Sequence, residues 1–216
     1  MPPANLLRAA RTTVGSNAIL LDPCRHRVQL TRADIRIDLG GIAKGYAADE
    51  ALKVLRNHGF PQALIDASGD LVVGDPPPGK TGWRVAIERL VNPESPESSR
   101  PPRKRDVVLL ANQAIATSGS TVQFAEIEGR HYSHIVDPRT GLGLQTHSMV
   151  TVIAPSGIQA DSLASAVSVL GARAGIEFIE TSRPAELQVR VQTLASTGRS
   201  QLHDSADFRG RLISVP

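Results

Sequence analysis

Apolar residues recur along this chain with two different periods, and the switches between them mark its elements. Two short apolar runs in "AILLDPCRHRVQL" flank an Asp22-Pro23 turn and predict a pair of strands. "DIRIDL", residues 34–39, alternates polar and apolar side chains and predicts a further strand. From Ile42 the period lengthens. Tyr46, Leu52 and Leu55, with Ala43, Ala47, Ala48 and Ala51 among them, suit one helix, and Asn57-His58-Gly59 supplies its stop. "QALIDAS" and "DLVVGD" predict strands broken by Ser68-Gly69, and "WRVAIERL" another. "DVVLLANQAIATSGS" resumes strand character. "FAEIEGRHYSHIV" predicts a hairpin turning at Glu128-Gly129, and "MVTVIAP" a strand. "GIQADSLASAVSVLG" predicts a helix ended by Gly171, "AGIEFIET" a shorter one, and the tail from "AELQVRVQTL" to "GRLISV" more strands. Strands outnumber helices and are mostly neighbours in sequence. The predicted class is therefore α+β, a mostly antiparallel sheet with packed helices. Residues 92–105, "NPESPESSRPPRKR", are rich in proline and charge and predict a mobile loop inside one domain of 1–216.

Composition narrows the function classes without choosing one. The 216 residues are 41% hydrophobic and 21% charged, ordinary for a globular protein, with a formal net charge of +3. The basic run Arg103-Lys104-Arg105 lies beside two prolines, and aromatics make up only 3%, so it reads as a solvated loop rather than a stacking surface for nucleic acid. The lone Cys24 sits in a turn sequence and is expected to be structural. No apolar run is long enough to span a membrane as a helix, and "MPPANLLRAARTTVGS" lacks the apolar stretch of a secretory signal.

Three stretches carry candidate chemistry. "RIDLGGIAKGYAADE" runs from the expected strand through Gly40-Gly41 into the helix. It fits neither the Gly-x-Gly-x-x-Gly dinucleotide fingerprint nor the P-loop, because Tyr46-Ala47 stand where the latter needs Lys and Ser or Thr. A tight turn is one reading. The other is a phosphate loop, with Asp38 ending the strand, Lys44 in the first helical turn, and a Gly41 carbonyl open to a ligand or metal. In "HYSHIVDPRTG", His134 stands before a turn fixed by Asp137-Pro138, the end of a strand where sites are often built. In "QADSLASAVSVLG", Asp161 and Ser165 are four apart and share one helical face. They are a hard-oxygen pair suited to Mg²⁺, or an acid near the helix start with a small packing serine.

In order and identity, "DLGGIAKGYAAD", "LIDASGD", "AIATSG", "YSHIVDPRTG" and "VTVIAP…ADSLASAVSVLG" resemble the FAD:protein FMN transferases, the ApbE family of flavin transferases. The likeness covers about residues 17 to 171 well and the tail more loosely. It implies Mg²⁺-dependent cleavage of the substrate FAD and transfer of FMN to a Thr or Ser hydroxyl of an acceptor protein, with AMP released. It implies a bacterial enzyme that is typically exported or membrane-anchored and serves redox proteins. By the same resemblance Asp38 and Lys44 contact the flavin nucleotide, and Ile135 and Val136 meet the isoalloxazine through backbone. Gly41, Asp161 and Ser165 hold the metal, with serine where the family has threonine. His134 is the base toward the acceptor hydroxyl. Ser68-Gly69 replaces the family's usual pair of glycines. The family pattern also normally begins well before Met1, so part of the FAD pocket is expected to be missing from this chain. Two alternatives stay open: an FAD pyrophosphatase giving FMN and AMP, and a truncated, inactive flavin-binding member.

Overall fold

The computed structural model describes residues 1–92, 106–119, 123–182, 186–195 and 198–213. Helix α1 (Ala4–Arg11) is followed by the hairpin β1 (Ile19–Asp22) and β2 (Arg27–Leu30), then α2 (Ala43–Asn57). Next come β3 (Leu64–Ala67), β4 (Asp70–Val73), β5 (Trp83–Ile87), β6 (Asp106–Leu110) and β7 (Gln113–Gly119). The hairpin β8 (Phe124–Ile127) and β9 (Arg130–Ser133) leads to the short β10 (Val136–Asp137) and β11 (Leu142–Gly143). The chain closes with β12 (Ser148–Ala154), α3 (Gly157–Leu170), α4 (Ala172–Ser182), β13 (Gln188–Leu194), β14 (Ser200–Asp204) and β15 (Leu212–Ile213). Every strand pair among the described residues is antiparallel, as the α+β reading expects.

A six-stranded sheet in the order β14-β13-β12-β7-β4-β3 forms the middle layer. One face carries α2, α3 and α4 over a core of Ala48, Leu52, Val150, Val152, Ala164, Val167 and Val189. The other face meets the smaller sheet β15-β6-β5 through Val73, Ile115 and Ile153 against Val85, Ile87, Val108 and Phe208. This sandwiching explains why "MVTVIAP" is apolar on both faces except at Thr151: every residue of β12 is buried. The tight hairpins follow from their turn residues. Ser68-Gly69 and Glu128-Gly129 all have positive φ, which matches the right-handed strand twist.

The alternation of β13 is misleading in isolation. Val189 and Val191 face the helices, while Gln188, Arg190 and Gln192 on the opposite face are also buried. Arg190 and Gln192 find partners on β6, on β14 and on the segment that follows β5. Gln192 accepts from the Leu90 N–H at 3.0 Å and donates to the Glu88 carbonyl at 2.8 Å. Arg190 donates to Asp204 at 2.8 and 3.0 Å and also pairs with Asp106, its guanidinium 4.8 Å from the Phe208 ring centre. A polar clamp thus fastens the two sheets at one end.

Two expectations change here. "DIRIDL" forms no strand: residues 35–39 carry no regular secondary structure, with Ile37 and Leu39 exposed. Alternation gives a strand only where a neighbour accepts its backbone hydrogen bonds. Helix α1, which periodicity did not single out, lays Leu7 and Arg11 against Gly141. The loop expected at 92–105 lies, from residue 93 onward, outside the described residues. No helix among the described residues is long and apolar enough to cross a membrane.

Arg190→Met would strand two carboxylates, one of them fully enclosed, and is expected to cost about 3–5 kcal/mol, seen as a lower urea midpoint with an unchanged slope. Burial alone would raise the Asp106 carboxyl, but the Arg190 hydrogen bond and charge, helped by Arg89, outweigh it and hold the group below its ordinary 3.8. Asp106 therefore adds stability that is complete above 3.8 and fades as pH falls through the lower folded value. Acid titration of the midpoint should show a larger loss in the parent than in the variant, which keeps only the Arg89 pairing.

Candidate active site

An open cleft of about 460 Å³ lies where the N-terminal turn of α2, the helix α3, the sheet and β5 converge. Gly40, Lys44, Asp161 and Ser165 line it from the helical side. Leu71, Val85, Ile87, Ile115 and Met149 give it an apolar wall, and His134 and Gln123 stand at it from the hairpin side. A polar end joined to an apolar wall fits a ligand that is itself part charged and part aromatic.

The polar end is built by two helices in backbone contact. A Cβ added at Gly45 would run into the Gly157 carbonyl, and one at Gly157 would meet Val72 at 2.7 Å. Only glycine allows this approach. Asp49 of α2 accepts from the Gly157 and Ile158 N–H groups at 2.7 and 2.9 Å, capping α3 from its neighbour. In return Asp161 Oδ2 accepts the Gly45 N–H at 3.1 Å. One of the first-turn N–H groups that sequence reasoning offered to a phosphate is therefore committed to a carboxylate. Asp38 shapes the loop, its Oδ1 accepting the Gly40 N–H at 2.7 Å.

Asp161 is almost fully enclosed, and the Gly45 bond occupies only one of its oxygens. Ser165 Oγ stands 3.4 Å from Ser118 Oγ, and a Cβ at Gly41 would lie 3.2 Å from it, so the glycine brings its backbone against this hydroxyl. A carboxylate and a hydroxyl beside the Gly41 backbone are hard-oxygen donors of the kind Mg²⁺ takes when a ligand or waters supply the remaining oxygens. Among the described residues no three His, Cys, Asp or Glu side chains gather as a cation cage. A metal held here would therefore complete its shell with waters or with oxygens of a ligand.

Asp70 was not singled out from the sequence, although it lies within the quoted "LIDASGD". It is 3% exposed, accepts the Thr117 N–H at 3.2 Å and holds Lys44 Nζ 2.6 Å from Oδ2. Burial raises its carboxyl above the ordinary value, the Asp161 charge adds to this, and the Lys44 bond and charge oppose both. The available signal was a carboxylate opening the apolar strand "DLVVG" directly after a tight turn.

His134 is exposed, and its Nδ1 lies 3.1 Å from the Gln123 carbonyl oxygen. A carbonyl only accepts, so in the neutral imidazole Nδ1 carries the proton and Nε2 the lone pair. Ile135 and Val136 follow His134 but do not line the cleft. The Ile135 N–H goes to Ser133 Oγ, its carbonyl accepts from Leu144, and Val136 is exposed.

The model of the ApbE family matches residues 1–191. An FAD:protein FMN transferase of Klebsiella pneumoniae (strain 342) is 32% identical over 175 residues, 79% of this chain and 47% of that protein. Among solved structures, the flavin transferase ApbE from Vibrio cholerae superposes with a TM-score of 0.82 at 25% identity, over 98% of this chain and 63% of that one. The apo form of the Pseudomonas stutzeri flavinyl transferase ApbE gives 0.81 at 28% identity, over 100% and 63%. The chain spans about half the length of the curated relatives it matches.

Gly45→Ala should force α2 and α3 apart. A loss of about 1–3 kcal/mol is expected, the range for overpacking a close contact, measured by denaturant unfolding. Stability equal to the parent would show that the helices can separate without cost.

Proposed function

The chain belongs to the ApbE family, and from that premise we propose that residues 1–216 form one flavin-transferase domain whose cleft takes FAD and passes FMN to a Ser or Thr hydroxyl of an acceptor protein. One observation carries the reading: a histidine with a free Nε2 and an oxygen-rich polar end line the same cleft, joined by an apolar wall. The isoalloxazine would lie along Val85, Ile87 and Met149. The pyrophosphate would lie by Lys44 and the loop at Gly40-Gly41. Asp161, Ser165 and the Gly41 carbonyl would hold Mg²⁺, which when bound offsets charge on the pyrophosphate.

The acceptor hydroxyl gives its proton to His134 Nε2 while its oxygen attacks the FMN phosphorus. A phosphoester bond forms, the P–O bond to AMP breaks, and AMP leaves with the bridging oxygen. Such a displacement depends on alignment and charge more than on acid–base strength. The polar end fixes the phosphorus, while the Gln123 carbonyl holds the imidazole in its accepting tautomer. Because His134 is exposed, water can reach the same nitrogen. Hydrolysis of FAD to FMN and AMP is the second reading, and product analysis with and without acceptor peptide separates the two.

His134→Ala should lower FMN transfer by about 10² to 10⁴ and leave FAD affinity within a few-fold, read by fluorescence quenching. Transfer at the parental rate would remove His134 from the mechanism. Asp161→Ala should abolish the response of FAD turnover to Mg²⁺. Turnover that still rises with Mg²⁺ would place the cation elsewhere.

A further inference from the structure

The cleft is unusual for a site that is to hold an anion. Lys44 is the single lysine or arginine among its described lining residues, while Asp66, Glu88 and Asp161 also line it. Behind Lys44 stands Asp70, buried and ion-paired to it. Lys44 Nζ lies 2.6 Å from Asp70 Oδ2, the carboxylate oxygen that does not take the Thr117 N–H. At the polar end, two carboxylates, Asp70 and Asp161, thus face one ammonium. A pyrophosphate arriving alone would meet net negative charge from fixed groups, two of them buried carboxylates.

We propose that Asp70 is a positioning residue that sets the order of binding: it fixes Lys44 and keeps the polar end negative, so that a divalent cation must enter before, or together with, an anionic nucleotide. This rests on the FAD reading for the nucleotide but not for the cation. Asp70 touches neither in this account. It acts through Lys44, and through its field on the oxygens of Asp161 and Ser165. Thr117 holds the carboxylate in place through a backbone N–H, which fixes Asp70 to β7 in the middle layer.

Charge, unlike shape, can be restored by a second substitution. Asp70→Asn leaves Lys44 without its counter-charge and brings the polar end close to neutral. Asp70→Asn with Lys44→Met removes both charges and returns the end to net negative. The probe is Mn²⁺, titrated by electron paramagnetic resonance into the 216-residue chain with no nucleotide. Asp70→Asn should weaken Mn²⁺ binding by about tenfold or more, and the double variant should recover most of the loss. In parallel, FAD affinity is measured with and without Mg²⁺. The parent should depend strongly on the cation. In Asp70→Asn, cation-free FAD affinity should rise about tenfold, which narrows that dependence.

Unchanged Mn²⁺ affinity in Asp70→Asn overturns the proposal. So does an equal loss in the double variant, which would mark Asp70 as a packing residue. If Asp70→Asn does not fold, the double variant decides: Mn²⁺ affinity within a few-fold of the parent supports the charge argument, and a loss beyond tenfold refutes it. A parent that binds Mn²⁺ and not FAD defeats the transferase reading and leaves the cation result to be judged by the variants.

Discussion

The backbone contact between Gly45 and Gly157 is the constraint on which the polar end of the cleft depends. Each helix start supplies what the other lacks. Asp49 satisfies the first N–H groups of α3, and Asp161 satisfies the Gly45 N–H of α2. Side chains larger than hydrogen at the crossing would part the helices and break these bonds together. The result ties the glycine loop, Lys44, Asp161 and Ser165 into one rigid body, on residues more than a hundred positions apart. Binding oxygens placed on helices anchored in this way stay where a phosphate or cation would need them.

A second fastening sets the opposite wall. The small sheet carries Val85 and Ile87, and Arg190 and Gln192 reach from β13 to bind Asp106, Glu88 and Leu90 around it. A buried guanidinium costs desolvation that its two carboxylates and the Phe208 ring offset. An apolar seam alone could slide. Directed hydrogen bonds fix the spacing of the two sheets, and with it the width of the cleft.

Much of this architecture was legible from the residues. The helices α2 and α3 followed from their 3.6-residue period and from stops at Gly59 and Gly171. The hairpins followed from Ser68-Gly69 and Glu128-Gly129, since few residues other than Gly accept positive φ. The five ordered motifs pointed to the family whose model matches the chain. Asp161 and Ser165 share a helical face because the period of the helix puts them there. "DIRIDL" failed as a strand for the converse reason: alternation is local, while a strand needs a partner along its edge.

The sequence by itself determined which segments would be helices and tight turns, because those depend on dihedral preferences and contacts within a few residues. Only the tertiary structure decided what happens at Asp70, Arg190 and Gln192. Each occupies a polar position that pattern alone sends to solvent, and each is enclosed because another layer covers it. A buried charge is defined by its partners: Lys44 and Asp106 come from other elements far along the chain, and Asp204 from the neighbouring strand β14. The same holds for His134. Its type and turn were visible, but the tautomer that leaves Nε2 free was set by a carbonyl eleven residues away in sequence, brought within reach by the hairpin between them.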